Sequence, residues 1–181
     1  MKQKFYGIVL VNRRLYVLLL ATLLYLLLSN MFNLTIGQRN LDQKINNIYG
    51  SQNIECIVEA VYHEARGETP DGWKAVTEVI LNRTQLPGYP DTICEVVHQN
   101  KQFSYRNGNK KYNLHYYEPI PLYEITKTVY HHLYSIQKND KKRVLPECVT
   151  LYDGKSFAKP SWAKNSKMVK EIGNHQFYCK K

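Results

Sequence analysis

The stretch Leu15 to Leu28 contains no charged residue and is preceded by Lys2, Lys4, Arg13 and Arg14. Such a run has no polar stripe to turn towards water, which argues against a surface or core helix of a soluble domain. Counted from Leu15 to Phe32 it is 18 residues long, about the minimum that crosses a hydrocarbon core of roughly 30 Å. The basic flank assigns residues 1–14 to the cytoplasm and everything beyond the run to the exported side. A cleaved signal peptide is the alternative reading. Ser29-Asn30-Met31-Phe32-Asn33 offers no good small-x-small cleavage site, which favours an uncleaved anchor over residues 15–32.

Once the rest of the chain is exported, its other features are read in that light. All four cysteines, Cys56, Cys94, Cys148 and Cys179, lie beyond the apolar run, and an even count in an exported domain points to two disulfides. None has the Cys-x-x-Cys spacing of a zinc or redox site, so no metal and no cofactor are expected. The formal net charge of +10 attracts polyanions without selecting one. Export removes nucleic acid from the list and leaves an envelope polymer.

Residues 33–53 are polar and lack an apolar period, which reads as a linker between membrane and domain. The folded domain is placed at 54–181. Ile54, Ile57, Val58 and Val61 recur at helical spacing and predict a helix to about Ala65 or Arg66, with Gly67 as a left-handed C-terminal cap. Thr69-Pro70-Asp71 opens a second helix through Trp73, Val76, Val79 and Ile80, ended by Pro87-Gly88. The corner between them is so short that the two helices pack as a hairpin.

From Gly88 to Pro121 the text is irregular and aromatic (Tyr89, Phe103, Tyr105, Tyr112, Tyr116, Tyr117) and reads as a long loop lining a wall. Leu122, Ile125, Val129, Leu133 and Ile136 predict a third helix. Within it, His131-His132 reads as half core and half solvent. Lys138-Asn139-Asp140-Lys141-Lys142-Arg143 reads as a solvated loop. Cys148 to Tyr152 and Gln176 to Cys179 predict two late strands. The fold class is therefore α+β, mainly helical, with a small C-terminal β-hairpin. A helical hairpin that brings the chain back, and antiparallel late strands, favour Cys56 with Cys94 and Cys148 with Cys179 among three connectivities.

The corner carries two carboxyls in different settings. Glu64 falls in the last turn of its helix, where the negative end of the macrodipole and any apolar wall disfavour ionisation; Glu68 falls just before the next helix, where the positive end favours it. Carboxyls pushed apart in this way fit the acid and base of glycosidic chemistry. By position alone, both could equally be solvated turn residues.

The surrounding text adds a resemblance. Tyr62-His63-Glu64-Ala65-Arg66-Gly67-Glu68, Gly72-Trp73-Lys74-Ala75-Val76 and Val79-Ile80-Leu81-Asn82-Arg83 resemble the spore-cortex-lytic cell-wall hydrolase family. The likeness continues through Tyr89 to Val97, Gln102-Phe103-Ser104 and Ile172 to Tyr178. It implies a lysozyme-like fold and cleavage of the glycan strand of peptidoglycan between N-acetylmuramic acid and N-acetylglucosamine, as a lytic transglycosylase, with Glu64 as the single catalytic acid. Glu68, Gln102, Ser104, Tyr152 and His175 are the expected substrate-binding positions. Each has a structural alternative: Gln102 and Ser104 could flank a loop anchored by Phe103, His175 could cap a strand, and the text around Tyr152 departs from the family's pattern at Leu151 and Asp153. Arg66, Asn82 and Arg83 read as helix-end residues that satisfy backbone groups.

Two rivals remain. An exported Cys/His amidase or peptidase acting on peptide stems would need a free thiolate near His98 or His175, and a zinc peptidase would need a histidine where Gly67 stands. A non-catalytic envelope protein would bind wall or lipid through charge alone.

Overall fold

A computed structural model describes residues 2–106, 117–139, 143–155 and 158–181, with side chains omitted for 2–11 and for Ser104. The expected Tyr112 and Tyr116 of the wall-lining loop, and Asp140-Lys141-Lys142, lie outside the described residues. The chain divides into two units, residues 1–43 and 44–181.

The first unit is helical throughout its described length, as part of α1 (Lys2–Tyr49). From Asn12 this helix is long and apolar enough to cross a membrane, judged by length and composition. Residues 33–53, expected as a polar linker, are instead helical up to Tyr49 and again from Ser51. A Gln38 to Asp42 side-chain hydrogen bond of 2.7 Å, one turn apart, is the kind of local pairing that lets a polar segment stay helical.

The second unit begins before Ile54, because Ile45 is already fully buried and Asn46 accepts a hydrogen bond from the Tyr130 hydroxyl. Gly50, at φ +81°, breaks the chain direction and starts α2 (Ser51–Ala65). Ile54, Ile57, Val58 and Val61 are buried as their spacing predicts. The corner that follows differs from the expectation: no positive φ occurs at Gly67. It is closed by backbone bonds from Arg66 to Tyr62 and from Glu68 to Ala65, and by the Trp73 indole, which donates to the Ala65 carbonyl at 2.8 Å.

Helix α3 (Pro70–Thr84) has Pro70 in its first turn and Asp71 paired with Lys74. The expected irregular loop contains α4 (Ile93–His98). Its signal was present as Thr92-Ile93-Cys94-Glu95, a capping box in which the Thr92 hydroxyl accepts from the Glu95 amide. Phe103 is fully buried and leads into a short 3-10 turn, Ser104–Arg106. Helix α5 (Pro119–Gln137) packs on α2 and α3, with Ile125, Val129 and Leu133 inward.

The C-terminal part forms an antiparallel sheet of β1 (Val149–Gly154), β2 (Ser166–Ile172) and β3 (His175–Lys180), in the order β1-β3-β2. A hairpin of two strands was expected; β2 is the addition. It is an edge strand whose Lys167, Lys170 and Glu171 face solvent, so it lacks the apolar alternation that marks a half-buried strand. Val149, Phe177 and Cys179 pack against Ala75 and Val79 of α3. Disulfides join Cys56 to Cys94 and Cys148 to Cys179, which ties α2 to α4 and the start of β1 to β3.

Candidate active site

Glu64 sits half-buried in the last turn of α2, at the mouth of a cleft of about 390 Å³ whose walls include His63, Arg66, Glu68, Gly154, Asn174 and His175. Helix α2 supplies the carboxyl, and the sheet supplies the opposite wall. The Tyr152 hydroxyl, on β1, donates to Glu64 Oε2 at 3.1 Å. Burial, with the nearby Glu64 charge second, pushes the Tyr152 phenol well above its ordinary range, so it remains a donor at any working pH.

Beneath this pair lies Arg83, 3% exposed. Its Nε donates to the Thr150 carbonyl at 2.8 Å, and its guanidinium lies over the rings of Phe103 and Tyr89 at 5.4 and 5.5 Å. Burial disfavours its charge, while Tyr152, Tyr89 and Glu64 act in the opposite direction. Asn82 donates to the carbonyls of Pro146 and Val149 and pairs with Arg143. The Asn82-Arg83 helix end thus satisfies backbone carbonyls, as its sequence reading has it, and by doing so fixes β1 and Tyr152 against α3.

Glu68 is only 8% exposed in its side chain. Its Oε2 accepts from the Asn174 amide and its Oε1 from the Asn174 side chain, both at 3.1 Å. Gly173, at φ +56°, lets the turn between β2 and β3 close on this carboxylate: a Cβ there would stand 1.6 Å from Oε2. Glu68 therefore fastens the helical corner to the hairpin turn. His175 Nδ1 lies 3.8 Å from Glu68 Oε1. Burial holds the imidazole below its usual range despite Glu68 and Asp153, so this is a neutral ring beside a carboxylate. The ring meets Tyr152 edge-on at 5.4 Å.

His63 builds the other flank. Its Nε2 shares a 2.7 Å hydrogen bond with the Tyr117 hydroxyl, and its ring stacks on Tyr105 at 4.2 Å. Tyr117 in turn stacks on Tyr62, whose hydroxyl accepts from the Glu118 amide. Arg106 is held by the buried Glu59 at 2.7 Å. Desolvation, with Arg66 and Arg106, keeps His63 below its ordinary pKa. The sequence placed His63 beside Glu64 but carried no signal for Tyr105 and Tyr117 as its partners.

Of the expected substrate-binding positions, Glu68, Tyr152 and His175 thus meet at the cleft. Gln102 is half-buried beside the core residue Phe103, and the Ser104 side chain lies outside the described residues. Phe103, between them in the chain, lies under the Arg83 guanidinium. No cysteine is free, so the thiolate that an amidase reading requires is missing. Among the described residues no cluster of His, Cys, Asp and Glu could hold a metal ion.

The chain is similar to known proteins in sequence and in fold. The sequence model of a family described as Cell Wall Hydrolase matches residues 67–178. A spore cortex-lytic enzyme of Oceanobacillus iheyensis is 41% identical over 56 residues, 31% of this chain and 20% of that protein. One of Bacillus cereus is 35% identical over 66 residues, 36% of this chain and 26% of that protein. The matched stretch is thus about a quarter or less of those relatives' length. The crystal structure of the catalytic domain of the Bacillus cereus SleB protein superposes with a TM-score of 0.54 at 25% identity, covering 73% of this chain and 92% of that one. The catalytic domain of the germination-specific lytic transglycosylase SleB from Bacillus anthracis shares the fold, with a TM-score of 0.52 at 23% identity.

Proposed function

The chain belongs to the Cell Wall Hydrolase family, and from that premise we propose that it cleaves the glycan strand of peptidoglycan with Glu64 as its acid and base. The observation that carries this reading is the Glu64 carboxyl at the cleft with the Tyr152 phenol donating to its Oε2. Glu68, the other carboxyl of the corner, is committed to Asn174 and is poorly placed to attack a sugar.

The bond cut joins N-acetylmuramic acid to N-acetylglucosamine. Protonated Glu64 gives its proton to the glycosidic oxygen as the C1–O bond breaks, so the leaving sugar departs as an alcohol and C1 acquires oxocarbenium character. The resulting carboxylate is stabilised by the Tyr152 hydroxyl and the positive charge of Arg83. It then takes the proton of the substrate's own hydroxyl, which closes on C1 and gives an anhydro end. Glu64 is protonated again, and no second carboxylate is needed. Neutral His175 and the His63–Tyr105–Tyr117 wall offer hydrogen bonds and ring faces to the sugars.

We assign residues 15–32, within α1, as a single-pass anchor, with residues 1–14 in the cytoplasm and the catalytic unit on the exported side. A reporter that is active only when fused at the C-terminus outside the cell supports this; cytoplasmic activity of that fusion overturns it. The catalytic assignment is tested by mass spectrometry of purified peptidoglycan digested with the protein. Anhydro-ended muropeptides are expected, and Glu64→Gln should reduce their yield by at least about 100-fold, the scale of lost acid catalysis. Glu64→Gln with near-full activity would sink the assignment, and stem peptides released in place of sugars would restore the amidase reading.

A further inference from the structure

We propose, resting on the peptidoglycan reading above, that Arg66 is a specificity residue. Its guanidinium binds a carboxylate carried on the muramic acid side chain, and so separates a peptidoglycan strand from a neutral glucosamine polymer. Arg66 follows Glu64 by two residues and is the C-cap of α2. It is exposed, and it is the one Lys or Arg among the described residues that line the Glu64 cleft. A solvated cation facing the negative end of a helix is the ordinary role at such a position. The surroundings of Arg66 ask more of it.

The side chain is laid on a fixed platform. Its Cζ lies over the Tyr62 ring at 5.3 Å. Tyr62 is itself buried, stacks on Tyr117 at 4.4 Å and accepts the Glu118 amide on its hydroxyl at 3.0 Å. A guanidinium resting on a ring face keeps its edge N–H groups for a planar acceptor, and it loses less freedom when it binds one. The neighbouring cations are already taken. Arg106 pairs with Glu59 at 2.7 Å, Lys155 with Glu171 at 2.8 Å and Lys74 with Asp71 at 2.8 Å, while Arg83 is buried on the Thr150 carbonyl. Glu68, the nearest carboxylate along the chain after Arg66, accepts from Asn174 instead. Arg66 has no carboxylate partner among the described residues. Its charge nevertheless acts inside the cleft, since after burial it is the next cause that holds His63 below its ordinary range.

The chemistry of the strand supplies the missing anion. Both sugar rings and their acetamido groups are neutral, so the negative charge of the substrate resides on the muramic acid side chain. In a stripped strand this is the lactyl carboxylate; where the lactyl group is amide-linked to a stem, it is the carboxylates of the peptide. Either is a planar acceptor that matches two parallel guanidinium N–H donors. Proton donation from Glu64 to the glycosidic oxygen sets the muramic acid ring, whose C1 is attacked, beside the last turn of α2. Arg66 ends that turn, on the same cleft wall. A polymer of N-acetylglucosamine alone fits the cleft equally well in its rings and leaves this cation unanswered.

The test uses the full chain in detergent micelles and the disaccharide in which N-acetylglucosamine precedes N-acetylmuramic acid, which contains no bond of the kind assigned to Glu64. Binding is followed at the His63 imidazole by NMR for two ligand pairs: the free lactyl acid and its methyl amide, and a peptide-bearing disaccharide and its carboxyl-amidated form. In at least one pair the acid should bind about fivefold more tightly than the amide, the scale of one solvent-screened ion pair. The pair that shows the difference identifies the carboxylate. Arg66→Gln should abolish that difference, Arg66→Lys should restore part of it, and both variants should keep the thermal midpoint of the parent. In digestion, Arg66→Gln should raise KM about fivefold on strands with free carboxylates and leave KM unchanged on fully amidated strands. Equal binding within both pairs, a difference that survives Arg66→Gln, equal loss on charged and amidated strands, or displacement by inorganic phosphate at the same concentration as by the acid would overturn the proposal. Disaccharide binding is read without cleavage, so strands that bind and stay intact count against the Glu64 assignment and not against Arg66.

Discussion

Tyr152 donates a hydrogen bond to Glu64 across 3.1 Å, joining residues 88 positions apart in the chain. Phe at position 152 would keep the ring packed against Phe177 and His175 and remove only the donor. A net hydrogen bond is worth about 1 kcal/mol, more when the acceptor is charged. Tyr152→Phe should therefore lower kcat about five- to thirtyfold with little change in KM, a smaller loss than Glu64→Gln. Steady-state kinetics on purified glycan decide it, and an unchanged kcat would remove Tyr152 from the site.

Gly173 and Glu68 make a second test. Gly173→Ala forces a Cβ into the Glu68 carboxylate at a positive φ, so strain and lost hydrogen bonds combine. A destabilisation of at least about 2 kcal/mol is expected in urea unfolding. Glu68→Gln keeps one acceptor for Asn174 and should cost less than Gly173→Ala. If Glu68→Gln abolished cleavage in a fully stable protein, Glu68 would belong to the chemistry rather than to the frame.

The helical part of the fold was legible because its apolar spacing is undisturbed, in Ile54 to Val61, Val76 to Ile80 and Leu122 to Ile136. Residue 64 was legible as the end of such a helix. What escaped the sequence has physical reasons. Strand β2 keeps lysines on its outer edge, α4 is too short for a period and is marked only by Thr92 and Glu95, and the polar stretch after Asn33 is helical although no apolar pattern demands it. The partners of Glu64 were the least accessible: Tyr152 was named only through the family resemblance, from whose pattern its neighbours Leu151 and Asp153 depart, whereas Arg83 beneath it, and Tyr105 and Tyr117 beyond His63, come together only through tertiary packing.

Acidification should weaken the fold. His63, His98 and His175 all have pKa values lowered by burial from an ordinary 6.5. The unfolded chain therefore binds more protons between the lowered and ordinary values, and stability falls as pH drops below about 6.5. Thermal midpoints measured between pH 7.5 and 5 should decline, and His175→Gln should make the decline shallower. A midpoint that rises on acidification would contradict these environments.

Reduction should separate the two disulfides. They close segments of 38 and 31 residues, so chain entropy predicts similar losses of about 2–4 kcal/mol for each. Replacing Cys148 and Cys179 by serine should also reduce kcat in the remaining folded protein, because β1 and β3 carry Tyr152 and His175. Replacing Cys56 and Cys94 should lower stability with kcat retained. Equal kinetic effects would show that neither bridge is tied specifically to the site.

The fastening of Glu68 by Asn174 spans 106 positions of chain. During synthesis the corner with Glu64 emerges long before the turn that locks it. Contacts of such long sequence separation form late and slowly. On the topology and the Glu64 role proposed above, a chain still being threaded through the membrane would hold its acid in an unfinished cleft, and any wall-cutting power would be switched on only after residue 174 has crossed and folded back. Timing of this kind would need no inhibitor or propeptide, since the order of residues along the chain enforces it.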